Sequence, residues 1–164
     1  MARHSGAVGI DIGSSAIKVV ELSPDGTNGN GATRAAASTS TPAGAIEEGR
    51  IKDAAAVGRA LRELVQSAGI RTRRAVTAVN GQVALIREVR MPQLPPDEMR
   101  QAARFEVERY LPYPIAEVTF DTVVVGDARD AAAAGAKIDV LVVAARTDVL
   151  RQHAAALQAA GLEP

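Results

Sequence analysis

The chain has no cysteine and no tryptophan, and Phe105, Phe120, Tyr110 and Tyr113 are its complete set of aromatic residues. No disulfide framework and no thiolate zinc site can be built from such a sequence. Base stacking on aromatic platforms is equally excluded as a main mode of binding. Net charge is also absent, because 19 basic residues balance 19 acidic ones, so no global field draws the protein to nucleic acid or anionic lipid. No stretch approaches the roughly 18 apolar residues of a membrane span, and Met1 to Gly6 lacks the apolar core of a signal peptide. Direct membrane insertion and nucleic-acid binding are therefore not expected, and the expected location is cytoplasmic. What the chain does have is 47% hydrophobic residues, mostly alanine and valine, which suffices for a core.

Residues 8 to 22 carry the most informative pattern. Val8, Ile10 and Ile12 alternate as one buried strand face, and Ile17, Val19 and Val20 are β-branched residues that favour extended structure over helix. The expectation is an antiparallel hairpin with Gly13, Ser14 and Ser15 in its turn and Lys18 near the start of the second strand. Gly13 can take a positive φ, the serines add hydroxyls, successive turn amides converge on an anion, and Lys18 supplies charge beside them. Together these residues suit phosphate. Asp11 suits Mg²⁺ held through water and not by direct ligation. Because the chain returns as a strand, both the Walker loop and the G-x-G-x-x-G fingerprint are excluded. An ordinary hairpin with an exposed acid and an exposed lysine fits the same residue types.

Further along, Asp25 to Gly31 reads as a turn and residues 33 to 40 as a third strand. Val57, Leu61, Leu64, Val65 and Ala68 then form the stripe of an amphipathic helix capped by Asp53 and stopped at Gly69. Ala75 to Val79 is a short apolar run. Asn80-Gly81 is a turn signal and a boundary, dividing the chain into units of residues 1–80 and 81–164. In the second unit, Val83 to Met91 alternates as a strand that Pro92 ends. A helix from Pro96 to Leu111 follows, with Met99, Ala102, Ala103, Val107, Tyr110 and Leu111 on one face, stopped by Pro112 and Pro114. Val118 to Val125 and Ile138 to Ala145 read as strands around an alanine and aspartate loop at 126 to 136. Thr147 is the expected cap of a last helix that buries Leu150, His153, Ala154 and Leu157 and ends at Gly161.

Three features coincide: the Gly9-Ile-Asp-Ile-Gly-Ser-Ser-Ala-Ile-Lys18 hairpin, the strand-helix-strand-strand-helix unit, and the run from Val89-Arg-Met-Pro to Phe105-Glu-Val-Glu-Arg-Tyr-Leu-Pro-Tyr-Pro114. Together they resemble the PilM family of type IV pilus assembly proteins, which is actin-like and related to FtsA. The resemblance implies an α/β fold: a partial ribonuclease-H-like, actin-like ATPase subdomain with an inserted SHS2-like subdomain. It also implies that Asp11, Gly13, Ser14, Ser15 and Lys18 meet the phosphates of ATP, with Mg²⁺ held through water by Asp11. The implied role is a cytoplasmic scaffold, peripheral to the inner membrane, that binds the cytoplasmic tail of a PilN-like membrane protein and meets other inner-membrane components of the pilus machine.

An actin-like cleft also needs a second D-x-G loop and a glycine-rich adenosine motif, and neither is present in this chain. It reads as the amino-terminal portion of a longer protein, so ATP binding by the chain alone is expected to be weak or absent, and catalysis is not expected of it. The alternatives are an FtsA-like cell-division protein and a fragment of a sugar-kinase-superfamily enzyme. Phe105 falls off the apolar stripe of its helix, where it suits either packing against the first subdomain or contact with a peptide. Tyr110 and Tyr113 flank Pro112 and suit either a binding groove or helix-end packing. Arg71, Arg73 and Arg74 form a basic cluster without stacking residues and read as solvated charges. Glu106 and Glu108 lie two apart on a helix and share no face, which excludes paired-carboxylate catalysis there. His153 reads as a packing residue, and His4 lies in the N-terminal tail.

Overall fold

The computed structural model describes residues 6–23, 32–81, 83–125 and 137–164. His4, the turn at 25 to 31 and the loop at 126 to 136 lie outside the described residues. The chain divides into two units, one formed by Met1–Asn80 with Val149–Pro164 and the other by Gly81–Asp148. The first segment of the first unit ends at Asn80, in the Asn80-Gly81 turn. The second unit ends at Asp148, and the residues after it belong to the first.

In the first unit, β1 (Val8–Ile12) and β2 (Ala16–Leu22) form the expected antiparallel hairpin, with Val8 opposite Glu21 and Ile12 opposite Ile17. Strand β3 (Thr33–Ser40) adds to β2. A short ladder joins β4 (Ile46–Glu47) to β5 (Arg50–Ile51). Helix α1 (Ala54–Ser67) begins where the Asp53 carboxylate accepts the Ala56 amide at 2.8 Å, which satisfies one of the amides that a helix start leaves open. Gly69 follows the helix at φ 68°. Strand β6 (Ala75–Thr77) then lies parallel to β1, giving the order β3-β2-β1-β6.

The alternation read from residues 8 to 19 is the core face of this sheet. Val8, Ile10, Ile12, Ile17 and Val19 are buried with Val57, Leu61, Leu64 and Val65 of α1. Glu21 is buried on that face as well, at 2% exposure. It accepts a hydrogen bond from the Thr72 hydroxyl and pairs with Arg34 at 3.6 Å, as a buried carboxylate requires.

Helix α3 (Thr147–Ala159) closes this core, since Ala156, Leu157, Ala160 and Leu162 belong to the same cluster. The buried face of α3 is Val149, His153, Ala156 and Leu157. The expected face shared His153 and Leu157 but placed Leu150 and Ala154 where Val149 and Ala156 are. Gly58 of α1 lies against part of this face. It has no side chain, so α3 approaches until a Cβ at 58 would stand 2.4 Å from Ala159 Cβ and 2.9 Å from the Ala156 carbonyl oxygen. The residues of α3 at this close approach, Ala156 and Ala159, are both small. Thr147 is the first helical residue and not a cap outside the helix, and its hydroxyl hydrogen-bonds that of Thr119 at 2.9 Å. Past the helix, Gly161 has φ 79°. Glu163 then bridges Arg74 in parallel, donating to the Arg73 carbonyl and accepting from the Ala75 amide.

His153 is 5% exposed, its Nδ1 has no hydrogen-bond partner, and burial pushes its pKa below the ordinary value of 6.5. The unfolded chain therefore takes up the proton more readily than the folded one. The stability this group contributes is complete above pH 6.5 and is lost as pH falls toward the depressed folded value. Melting followed by circular dichroism should show a lower midpoint at pH 5 than at pH 7.5, and His153→Leu should flatten that dependence. An unchanged pH profile in the variant would assign the acid sensitivity to other groups.

The second unit is a three-stranded antiparallel sheet, β7 (Ala84–Pro92), β9 (Lys137–Arg146) and β8 (Val118–Val124), in the order β7-β9-β8. Strand β7 runs through Pro92, one residue beyond the expected stop. Helix α2 (Pro96–Glu108) lies between β7 and β8 in sequence. It buries Met99, Ala103 and Val107 against Met91, Val140, Val142 and Ala144. Its first residue is the expected proline, and Asp97 and Glu98 occupy the positive end of the helix dipole. The helix ends at Glu108, three residues short of the expected Leu111. The Tyr110 amide donates back to Val107 at 2.9 Å, tightening the exit, and Leu111 precedes a proline and so disfavours helical backbone.

Candidate functional site

The hairpin turn is held from outside itself. The Gly13 amide donates to the Ala16 carbonyl at 3.0 Å, and the Thr41 amide donates to the Ser15 carbonyl at 3.1 Å. The Thr41 hydroxyl donates to the Gly13 carbonyl at 2.6 Å. Gly13 does not use the positive φ open to it. Its glycine is explained by space instead, because a Cβ there would lie 3.1 Å from the Ala16 carbonyl oxygen. That carbonyl also occupies the Gly13 amide, so phosphate donors at this turn are limited to Ser14 and Ser15, both exposed.

Asp11 and Lys18 sit directly opposite each other in the β1–β2 ladder. Lys18 Nζ lies 3.1 Å from Asp11 Oδ2, with the two side chains 61% and 64% exposed. Lys18 thus pairs with the acid across the ladder. An exposed pair of this kind contributes about 0 to 1 kcal/mol, so it holds the ammonium only weakly. Both side chains line a hollow of about 500 Å³ against the sheet, whose wall also includes Gly9, Val20, Val76, Thr77 and Ala78. These residues fit the phosphate end of a nucleotide. Apart from Asp11 and Lys18, Thr77 is the lining residue with a polar side chain, and its hydroxyl is buried.

The three aromatic residues named for partner contact differ in their surroundings. Phe105 is 70% exposed on α2, and Tyr110 is 47% exposed just past its end. Tyr113 is half-buried, with the Arg146 guanidinium 5.6 Å from its ring centroid. That cation is fixed in place, because Nε and Nη2 each meet an Asp148 carboxylate oxygen at 3.1 Å and Glu117 lies 3.7 Å away. Hydrogen bonding to Asp148 raises the Arg146 pKa further above its ordinary value, so Arg146 is a permanent charge over the tyrosine. Tyr113 is engaged within its own unit. Phe105 and Tyr110 are the exposed pair.

Sequence reasoning missed Thr41, Thr72 and the Arg146–Tyr113 stack. No local signal marks the two threonines. Arg73, read as solvated, reaches the Gly161 carbonyl at 3.2 Å.

A hairpin-led mixed α/β sheet closed by α1 and α3, with a three-stranded sheet and helix inserted between them, is a partial actin-like fold. The chain belongs to the family described as type IV pilus assembly protein PilM, whose family model matches residues 9–164. A chain of the PilM-PilN type IV pilus biogenesis complex is 36% identical, with a TM-score of 0.89 over 99% of this chain and 46% of that one. The cytoplasmic domain of EpsL, an inner-membrane component of the type II secretion system of Vibrio cholerae, shares the fold at a TM-score of 0.62 and 15% identity. That match covers 96% of this chain and 54% of the EpsL domain. This chain thus spans about half the length of each of these solved chains.

Proposed function

We propose that this chain is part of a cytoplasmic scaffold of type IV pilus assembly, peripheral to the inner membrane, which grips the cytoplasmic tail of a PilN-like membrane protein. The observation that carries this reading is the 36% identity, over nearly the whole chain, to a protein solved in a PilM-PilN complex. Support from the molecule itself comes from Phe105, a large apolar side chain left in solvent on a helix whose apolar stripe is already buried. Such residues mark contact surfaces. Among the described residues no helix is long and apolar enough to cross a membrane, which suits attachment through a partner. Isothermal titration of a cognate PilN tail peptide into the purified protein tests the proposal. Saturable heat is expected, and its absence from a folded sample overturns the reading.

The hairpin is the phosphate end of an ATP and Mg²⁺ site that the remainder of an actin-like cleft completes. Lys18 meets the phosphates, Ser14 and Ser15 donate to them, and Asp11 orders the waters of the metal. Bound ATP and Mg²⁺ supply a charged ligand that ties the cleft together. By itself the hairpin buries too little of a nucleotide for tight binding. Purified chain should therefore release phosphate from ATP no faster than buffer does. Sustained release that Lys18→Ala abolishes would show that the hairpin half suffices for catalysis.

A further inference from the structure

Helix α2 covers one face of the three-stranded sheet in the second unit, and among the described residues of that unit no helix covers the opposite face. Opposite residues in an antiparallel ladder point to the same side, so the register sorts the open face into rungs. One rung is Ile86, Val143 and Asp121; the next is Glu88, Leu141 and Val123. The apolar residues run diagonally, from Ile86 on one edge strand through Val143 and Leu141 to Val123 on the other. Ile86 is 51% exposed and Val123 55%. A carboxylate flanks each side of this track, Glu88 below Ile86 and Asp121 above Val123.

Neither carboxylate is neutralised by an ion pair among the described residues. Asp121 accepts only the amide of its neighbour Thr122, at 2.9 Å. The other charges of this face lie toward one end, where Arg90 and Asp139 pair at 3.5 Å and Lys137 follows. Lys137 is roughly 13 Å along the strand from Leu141. The middle of the face is therefore an apolar diagonal bracketed by acid.

We infer that this face docks a basic amphipathic helix of a partner protein. The diagonal crosses two strand spacings and one rung, about 12 Å. Two turns of helix rise about 11 Å, so apolar residues at i, i+3 or i+4, and i+7 match the track, and Lys or Arg on both flanks meet Glu88 and Asp121. This surface is distinct from the exposed aromatics of α2, which lie on the other side of the sheet. An anionic lipid surface is disfavoured by the same two carboxylates.

The probe is a Leu and Lys amphipathic helical peptide, with its Leu and Glu counterpart as control, titrated into ¹⁵N-labelled full chain. Amide shifts are expected along β7, β8 and β9, with the Lys peptide binding about tenfold more tightly than the Glu peptide. The double variant Glu88→Lys, Asp121→Lys should reverse that preference while leaving far-UV circular dichroism and melting unchanged, because both positions are exposed. Ile86→Thr should weaken both peptides. Equal binding of the two peptides, a preference that survives the charge reversal, or shifts confined to α2 would each overturn the inference. So would a concentration-dependent mass in light scattering that Val123→Asp abolishes, since that assigns the face to a second copy of the chain.

Discussion

Gly58→Val is expected to destabilise the first unit by about 3 kcal/mol or more, seen as a lower midpoint in urea and thermal melts followed by circular dichroism. Helix propensity acts in the opposite direction, since replacing a mid-helix glycine by alanine is worth about 1 kcal/mol in an unpacked helix. Packing decides the sign here. A Cβ at position 58 would lie 2.4 Å from Ala159 Cβ and 2.9 Å from the Ala156 carbonyl oxygen, and a backbone carbonyl on a buried helix has no rotamer by which to retreat. The added methyl groups of valine force α3 off α1, and with it Leu157, which is 1% exposed in the shared core. Gly58→Ala separates the two effects. A gain in stability would mean that α3 does not sit against α1, whereas a loss of about 1 to 2 kcal/mol confirms the close approach.

The same contact explains what the sequence reading reached and where it stopped. The elements of the first sheet were legible because strand alternation and helical periodicity are local signals. Val8, Ile10 and Ile12 announce a half-buried strand without reference to anything else in the chain. Asp53 and Gly69 mark the ends of α1 in the same local way. The allegiance of α3 was not legible. Its stripe says that one face is buried but not against what, and Gly58, which admits the helix, lies about ninety positions away with nothing to mark it. Positions of both kinds occur in the candidate site. Asp11 and Lys18 meet because hairpin register follows from the turn. Thr41, which holds that turn, comes from the end of β3 and is visible only once β3 has paired. Gly13 shows a third case, in which the residue was read for the φ it can take and is explained by the room beside Ala16.

Phe105→Ala is expected to weaken binding of a PilN tail peptide by about thirtyfold, or about 2 kcal/mol, while moving the melting temperature by no more than about 4 °C. The second half of that expectation follows from exposure. At 70% accessible, the ring contributes little burial to the core of its unit, where Met99, Ala103 and Val107 of the same helix do the packing. Surface substitutions of this kind alter stability by about 0.5 kcal/mol or less. The first half follows from what an exposed phenyl ring offers a partner, a large area with few torsions to freeze, set on a helix that is already rigid. Tyr110, past the end of the helix and 47% exposed, offers a second aromatic surface, so Tyr110→Ala should cause a smaller loss. Tyr113→Ala should instead lower stability, because its ring carries the Arg146 guanidinium. Calorimetric titration with melting as the folding control separates the outcomes. Unchanged affinity in folded Phe105→Ala removes the ring from the interface, and affinity lost in step with stability makes it a packing residue.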